Sequence, residues 1–496
     1  MLLRQSLFYL VSRGVTGVLS FVVLVLYTRI LAPHQYGFYA LAAATEALAF
    51  TLSFLAVCSS ALRLAAGGFS DELRSGILAF YGLTAALLAA VLAAAMALCP
   101  ASDRPFYAWI FVLLLAHGWL EINLHLQTAR LRAGRYALAN AARSIVSALV
   151  GAALVELGFG AEGALVGFLA GLLVPAMALS LTEWSGFRWR APSRAALREI
   201  FRYGAPLSIG YALDALVYYS DRLVIAAFGG ADAVGRYAAG FDLADKCLTA
   251  IMSAIGTAGF ALALRFWERG DESSLCAQLK RNLAFLTALG LPAAVGLALL
   301  APDLALLLGP GYRDSAQAIV PIIAVTIFFA NLRGNYFDHA FHLSRRTTRL
   351  TWIVLASGIV NLGLNLLLVP RLGPLGAAWA SLGALSLSLV LAIVVGRRVR
   401  PMPIPRAELL KAAACTAAMA VALAFFHPSL GILGLPVRAA WGALVYGGCA
   451  LLCNLCGTLD VAASALHVGH LMPQARATQT RQRAELSSRS DRSEWV

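Results

Sequence analysis

The chain has 496 residues, of which 60% are hydrophobic and only 13% are charged, with a net charge of +14. A soluble globular protein carries about 25% charged residues, so this composition is typical of a membrane protein. The positive charge lies in short clusters between apolar blocks, and no stretch could form a basic face on a soluble domain, which excludes a nucleic-acid-binding protein.

The apolar blocks predict the fold class, an all-α polytopic membrane protein. Many blocks reach the length of about 20 residues that a helix needs to cross a hydrocarbon core of about 30 Å. The first block lacks a short apolar region with an A-x-A cleavage site, so we interpret it as a retained span. We predict fourteen transmembrane helices, at residues 7–31, 38–66, 76–98, 106–126, 137–157, 162–184, 203–229, 233–262, 282–308, 316–338, 350–370, 372–395, 409–426 and 436–458.

The distribution of Lys and Arg predicts the orientation of these helices. With a cytoplasmic N-terminus, the cytoplasmic segments hold most basic residues, including those from Arg130 to Arg143 and those of the 185–202 loop. The arginine-rich segment 470–496 shows no apolar periodicity, so we expect a disordered cytoplasmic tail. Both termini are thus predicted to be cytoplasmic. The outer loops hold few basic residues, namely Arg104, Arg236, Arg313, Arg371 and Arg438.

Two pairs of similar segments predict an internal repeat. YGFYA at 36–40 resembles VGRYA at 234–238, and GAEGA at 160–164 resembles GPLGA at 373–377. Six predicted spans separate the members of each pair, which indicates parallel repeats about an axis along the membrane normal, with a substrate site between the halves. The predicted units are an N-terminal six-helix lobe at 1–184, a C-terminal six-helix lobe at 203–395 and two additional helices at 409–458.

Several motifs resemble those of one transporter family. They are LAPHQYGFYAL at 31–41, YGAPL at 203–207, DRL at 221–223 and NLLLVP at 365–370. In order and spacing they resemble the polysaccharide-transport family of the multidrug/oligosaccharidyl-lipid/polysaccharide exporter superfamily, over roughly the first 400 residues. The resemblance implies a V-shaped, two-lobed bundle whose spans one, two, seven and eight line a cavity.

The same resemblance implies the function. The family flips undecaprenyl-pyrophosphate-linked oligosaccharides to the periplasmic leaflet of the bacterial inner membrane, for exopolysaccharide, capsule or O-antigen assembly. Implied partners are this glycan, membrane lipids, and polysaccharide polymerase and chain-length regulator proteins. No catalytic residue or cofactor is implied, and the sequence has no G-x-S-x-G, Walker A or H-E-x-x-H motif, so we expect no enzyme.

Three other functions stay open. A multidrug antiporter of the same superfamily, driven by protons or sodium ions, is the main alternative, but Arg13 and Lys246 weigh against it because its cavity is expected to be apolar and acidic. A sugar-chain polymerase or ligase is disfavoured by the short outer loops. A peptidoglycan-precursor flippase would share the lipid carrier.

Charged and aromatic residues within the predicted spans mark candidate sites. An ionised side chain at the bilayer centre costs at least about 2.5–3.5 kcal/mol on insertion scales, so each needs a reason. Those of spans seven and eight recur at helical spacing and therefore share helix faces. The candidate substrate or cavity residues are Arg13, Glu46, Tyr211, Asp214, Tyr218, Asp221, Arg222, Asp242, Asp245 and Lys246.

Roles can be assigned to some of the charged candidates. Arg13 lies deep enough in span one to hold a pyrophosphate bidentately. Asp242 and Lys246 stand in i,i+4 register and either neutralise each other or expose Lys246 to substrate, and the sequence leaves both open. Asp214, near the middle of span seven, is our hypothesis for proton coupling, while Asp221 is expected to be held by Arg222 or a neighbour.

The aromatic candidates complete this picture. Tyr211 and Tyr218 are expected to pack against sugar rings while their hydroxyl groups form hydrogen bonds.

Two clusters resemble metal or redox motifs but are interpreted as structural. His117, Glu121 and His125 recur every four residues in span four, but the spacing is not H-E-x-x-H, so a polar helix–helix contact is favoured over a proton relay or metal site. Cys453 and Cys456 form a C-x-x-C in an apolar run without a second ligand pair, which favours packing. We expect no metal site.

The predicted topology can be tested with reporter fusions. Alkaline phosphatase fused after Arg194 should be inactive, because the 185–202 loop is predicted to be cytoplasmic. A fusion after Arg104, in a predicted outer loop, should be active and serves as the matched control. Activity after Arg194 would contradict the orientation.

Overall fold

The computed structural model describes residues 17–65, 70–426, 428 and 431–458. Within them the secondary structure is helical and contains no strand. Arg13 and the predicted tail at 470–496 lie outside the described residues. The helices are α1 (Gly17–Ile30), α2 (Pro33–Ser53), α3 (Leu55–Ala65), α4 (Asp71–Leu98), α5 (Arg104–Ala129), α6 (Ala133–Leu154), α7 (Gly160–Glu183), α8 (Arg194–Glu268), α9 (Glu272–Leu299), α10 (Ala301–Ala305), α11 (Arg313–Leu332), α12 (His339–Leu343), α13 (Thr347–Leu372), α14 (Pro374–Val399), α15 (Arg406–Phe425) and α16 (Gly434–Leu452).

Local sequence explains where several of these helices begin and end. The side chain of Ser70 caps α4 by accepting a hydrogen bond from the backbone N–H of Leu73. Asp271 caps α9 in the same way, through the N–H of Ser274. Gly373, with φ of 58°, lies between α13 and α14, and Pro374 occupies the first turn of α14, where its missing N–H costs no hydrogen bond.

The described helices support a membrane-spanning fold. Ten are long and apolar enough to cross a membrane, or eleven when the pair α2 and α3, bent by 52°, counts as one span. Two of the ten are much longer than one crossing requires, Ala133–Glu183 with 51 residues and Tyr211–Glu268 with 58 residues. Each is long enough for two crossings. A glycine at positive φ interrupts each helix, Gly158 in the first and Gly230 in the second. The predicted number of fourteen is not confirmed and stays a prediction.

The break at Gly230 divides α8 into two segments, which we call α8a (194–229) and α8b (231–268). The sequence predicted a loop of a few residues between spans seven and eight, but the helix is interrupted by this single residue. Glycine adopts the required φ of 69° without steric cost.

The two similar segments that begin with Tyr36 and Val234 lie against each other. A Cβ atom at Gly37 would lie 1.7 Å from the carbonyl oxygen of Ala231, and a Cβ atom at Gly235 would lie 2.0 Å from that of Pro33. Only glycine permits this backbone contact between α2 and α8b. The division into lobes stays a prediction, but its two repeats meet at this crossing.

Further contacts join the same end of the bundle. The hydroxyl group of Tyr312 donates to the carbonyl oxygen of Leu31 at 2.8 Å. Nε of Arg29 donates to the carbonyl oxygen of Leu307, also at 2.8 Å. Together with the glycine contact, these bonds hold α1 and α2 against α8b and the segment before α11. We call this set of contacts the closed end.

Arg143, which the charge count placed with a basic cytoplasmic segment, lies inside α6, more than two turns after the helix begins at Ala133. The predicted span 137–157 already contained this residue. Its position on the cytoplasmic side stays a prediction.

The glycine contact can be tested by stability. Gly37→Ala should destabilise the protein by about 1–3 kcal/mol, because the added methyl group overlaps a backbone oxygen that cannot move without shifting α8b. The matched control is Gly82→Ala in α4, where a Cβ atom meets nothing within 4 Å. Thermal unfolding in detergent measures both. Equal unfolding temperatures for the two variants would contradict the close contact.

Candidate functional site

A cavity of about 520 Å³ lies between the N-terminal helices and α8. Its walls come from α1, α2, α5, α6, α7, α8a and α8b, so both sides of the glycine crossing contribute. Five tyrosines line it, Tyr27, Tyr36, Tyr39, Tyr218 and Tyr219. The charged or titratable side chains that line it besides tyrosine are His117, Arg143, Arg222, Asp242, Asp245 and Lys246.

An ion pair crosses the cavity wall between α8a and α8b. Nη2 of Arg222 lies 2.5 Å from Oδ1 of Asp242. The hydroxyl group of Tyr36 donates to the other carboxylate oxygen of Asp242 at 3.2 Å, and the guanidinium group lies 5.7 Å from the ring centroid of Phe241. Arg222 therefore neutralises Asp242, and the neighbour Asp221 takes no part in the pair.

Lys246 is left without an ion pair. Although it stands in i,i+4 register with Asp242, none of the carboxylates in the described part of the chain forms a salt bridge with it. The neutral Asp242–Lys246 pair that the sequence left open is thus not formed. Nearby Asp245 accepts a hydrogen bond of 2.7 Å from Thr249. The ammonium group of Lys246 is a positive charge available to a ligand in the cavity.

Asp221 is buried away from the cavity. Its side chain accepts hydrogen bonds from Tyr237 and Asn365, each at 2.7 Å, and from the hydroxyl group of Ser381. Its relative exposure is 1%. These donors come from α8b, α13 and α14, so Asp221 ties α8a to three other segments.

Two other candidates from span seven also lie away from the cavity. Asp214 is half exposed and forms a 3.2 Å salt bridge with Nη2 of Arg333, which lies in the turn after α11. Tyr211 is 54% exposed. Of the ten predicted residues, the cavity brings together five, which are Tyr218, Arg222, Asp242, Asp245 and Lys246.

Sequence reasoning missed most of the N-terminal wall. Arg143 lines the cavity with Asn140, Ser144 and Ser147, which follow at helical spacing along α6. This polar stripe lies within the predicted span 137–157 and was visible in the sequence, but it was not singled out as a candidate. Glu46 does not line the cavity. It is connected to the cavity through His117, a lining residue whose Nδ1 is 2.7 Å from Oε1 of Glu46.

The described residues offer little for metal chemistry. No group of three His, Cys, Asp or Glu side chains among them is arranged to hold a metal ion. The backbone N–H of Cys456 donates to Oε2 of Glu408 at 2.7 Å, so the C-x-x-C segment is tied to the start of α15.

The fold is that of a polytopic membrane protein with a cavity between its helices. A family model described as "polysaccharide biosynthesis protein" matches residues 2–262, over half of the chain, and the chain belongs to this family. The predicted family is thereby confirmed. An uncharacterized membrane protein of Methanocaldococcus jannaschii is 26% identical over 187 residues, which are 38% of this chain and 36% of that protein. The chain thus spans about a third of the length of this curated relative.

Solved structures show the same fold. The lipid II flippase MurJ in an inward closed conformation matches with a TM-score of 0.75 at 12% identity, over 90% of this chain and 98% of that chain. An inward-facing multidrug resistance MATE transporter of the MOP superfamily matches at 0.54 and 16% identity, over 79% and 94%. A MOP superfamily transporter from Pyrococcus furiosus Vc1 matches at 0.51 and 15% identity, over 84% and 95%. The predicted all-α polytopic fold is confirmed.

The Arg222–Asp242 pair should contribute strongly to stability. Asp242→Ala leaves a guanidinium group of 8% exposure without its partner, so we expect a loss of about 3–5 kcal/mol in the free energy of unfolding. Asp232→Ala removes the partner of Arg236 in an exposed pair and should cost about 1 kcal/mol at most. Chemical or thermal unfolding in detergent compares them. Similar losses for both variants would contradict a buried pair.

Proposed function

We propose that this protein is a flippase that moves undecaprenyl-pyrophosphate-linked oligosaccharide units from the cytoplasmic to the periplasmic leaflet of a bacterial inner membrane. The observation that carries the proposal is the cavity, which combines walls of tyrosine with Lys246, a lysine that forms no salt bridge with any described residue. Membership of the polysaccharide biosynthesis family supports the glycan part. The exopolysaccharide, capsule or O-antigen pathway would use the product.

The cationic side chains suit a pyrophosphate group. Lys246 and Arg143 reach the cavity from opposite walls, on α8b and α6. A pyrophosphate carries several acceptor oxygens, and charge-assisted hydrogen bonds to them are about twice as strong as neutral ones. Arg222 is committed to Asp242, so it adds positive potential without being the first ligand.

The tyrosines suit the sugars of the same substrate. Their rings offer flat apolar faces and their hydroxyl groups offer hydrogen bonds, which matches the alternation of C–H faces and hydroxyl groups on a pyranose. Tyr218 and Tyr219 stand on α8a, and Tyr27, Tyr36 and Tyr39 stand on the N-terminal helices. A glycan between them would contact both sides of the cavity at once.

The proposed cycle follows from the predicted orientation. With cytoplasmic termini, the closed end with Gly37, Gly235 and Tyr312 is periplasmic, so this conformation receives substrate from the cytoplasmic leaflet. Release would require the closed end to separate as the two proposed six-helix lobes rock against each other. Arg13 would meet the headgroup on its entry. A polysaccharide polymerase and a chain-length regulator are the proposed partners for the released unit.

A multidrug antiporter is the second candidate. Asp242 and Asp245 place two carboxylates on the cavity wall, and MATE transporters share the fold. An organic cation would have to displace Arg222 from Asp242, and it would be repelled by the positive charge of Lys246 nearby. Both effects disfavour the antiporter.

Transport by Lys246 variants tests the proposal. Flipping of a fluorescent undecaprenyl-pyrophosphate oligosaccharide in proteoliposomes should fall about tenfold or more in Lys246→Ala, because one charge-assisted contact of about 1.5–3 kcal/mol is lost. Lys246→Arg should retain part of the activity. Lys280→Ala removes an exposed lysine of α9 and serves as the matched control.

The same vesicles separate the two candidates. Ethidium uptake that Lys246→Ala leaves unchanged or increases, together with no flipping of the lipid by the parent protein, would favour the antiporter and overturn the proposal. Equal flipping by Lys246→Ala and the parent protein would overturn the role of Lys246.

A further inference from the structure

Five titratable or charged side chains form a connected cluster beside the cavity. The ring of His117 lies between two carboxylates, with Nδ1 2.7 Å from Oε1 of Glu46 and Nε2 3.5 Å from Oε1 of Glu121. Nη1 of Arg143 donates to the same oxygen of Glu121 at 3.3 Å. Nδ1 of His125 lies 3.6 Å from Oε2 of Glu121. We call these five residues the relay cluster.

The relay cluster connects the cavity to a buried carboxylate. His117 and Arg143 line the cavity, whereas the side chain of Glu46 is 1% exposed and lies behind them. The ring of His117 is stacked on Phe50, with 4.2 Å between centroids, which fixes its orientation towards Glu46. A change of charge at the cavity wall can therefore reach Glu46 through a chain of hydrogen bonds and ion pairs.

The charges of the relay cluster sum to zero when one of its two imidazoles is protonated. Two carboxylates then face one imidazolium and one guanidinium group. The cavity that His117 and Arg143 line also holds the charged groups of α8, which are the Arg222–Asp242 pair, Asp245 and Lys246, and α7 contributes the neutral Phe168. The uncharged titratable groups near the cluster are Tyr39 on α2, Cys58 on α3 and Tyr219 on α8a.

Arg143 is the member that a ligand can remove. It has the one guanidinium group of the relay cluster, and it lies on the cavity wall where the proposed pyrophosphate would lie. An anion that draws it from Glu121 leaves an unbalanced negative charge in a low-dielectric surrounding. Such a charge is strongly disfavoured there unless a proton neutralises it.

We propose that the relay cluster is a proton-binding site that takes up about one proton when an anionic headgroup in the cavity draws Arg143 away from Glu121. Nδ1 of His125 donates to the backbone carbonyl oxygen of Glu121 at 2.8 Å and lies 3.6 Å from Oε2, so His125 takes the added proton from solvent at Nε2 and restores neutrality. The proposal rests on the proposed function, since it takes the headgroup to be an anion. It assigns proton linkage to the N-terminal wall and not to Asp214, which is paired with Arg333 elsewhere.

Linkage makes the affinity depend on pH. Uptake of one proton on binding tightens the binding of the anion about tenfold for each unit that the pH falls, within the range where the cluster titrates. A pyrophosphate also titrates by itself, so the wild-type slope alone decides nothing. The difference between the wild-type chain and a variant of the relay cluster isolates the contribution of the protein.

The test uses the full chain in nanodiscs with undecaprenyl pyrophosphate as the probe and undecaprenol as the uncharged control. Calorimetry in buffers of different ionisation enthalpy gives the number of protons taken up per bound probe. The wild-type chain should take up about one proton more than Glu121→Gln, in which Arg143 has no carboxylate to leave. Glu121→Gln should bind the probe at least as tightly.

Further variants guard against loss of folding. His125→Asn keeps the Arg143–Glu121 contact and should also lose the extra proton, so it replaces Glu121→Gln if that variant does not fold. His34→Asn removes an exposed histidine in the first turn of α2 and should retain the extra proton uptake, so it serves as the matched control.

Each other outcome overturns a distinct statement. Equal proton uptake in the wild-type chain, Glu121→Gln and His125→Asn would overturn the inference and leave the proposed function standing. Loss of the extra proton uptake in Asp214→Asn but not in Glu121→Gln would assign the proton linkage to Asp214, and this result would also overturn the inference. A wild-type chain that does not bind the probe would overturn both.

Discussion

The backbone contact between Gly37 and Gly235 determines where the rest of the site lies. Because α2 and α8b touch there without side chains between them, the residues that follow along each helix diverge and enclose a space. Tyr36 lies beside the contact, and its hydroxyl group reaches Asp242, two turns along α8b. Lys246 lies one turn further on the same face. The cavity thus begins immediately below the crossing, and its charged residues are placed by the register of one glycine pair.

Charges in an apolar interior are treated in three ways in this protein. Asp242 is neutralised by Arg222 at the cavity wall. Asp221 is surrounded by neutral donors that link four helical segments, so it serves packing and remains away from the cavity. Lys246 has neither kind of partner among the described residues. Since a buried charge without an ion-pair partner is costly, Lys246 is the place where the proposed anionic substrate would supply one.

The sequence was sufficient for the fold class and for the family, because both depend on the order of apolar blocks and short motifs. It also pointed to span eight, where Asp242, Asp245 and Lys246 share a face towards the cavity. It could not show that Asp214 meets Arg333, since periodicity places a residue on a face of its own helix but does not identify the neighbouring helix. For the same reason the register of Asp242 and Lys246 suggested a pair, whereas Arg222, on the other side of the Gly230 break, lies close enough to replace Lys246.

The helices on the two sides of the Gly37–Gly235 contact hold their buried carboxylates differently, and this difference gives the two sides different capacities. On the C-terminal side, Asp221 is held by hydroxyl and amide groups that carry no charge to exchange. On the N-terminal side, Glu46 is held by the imidazole of His117, which also contacts Glu121, and Glu121 is in turn paired with Arg143. A ligand that moves Arg143 changes the net charge of that side, whereas a ligand at Lys246 changes no internal pair. An anion bound between the two sides would therefore be sensed by the N-terminal wall and held by the C-terminal one.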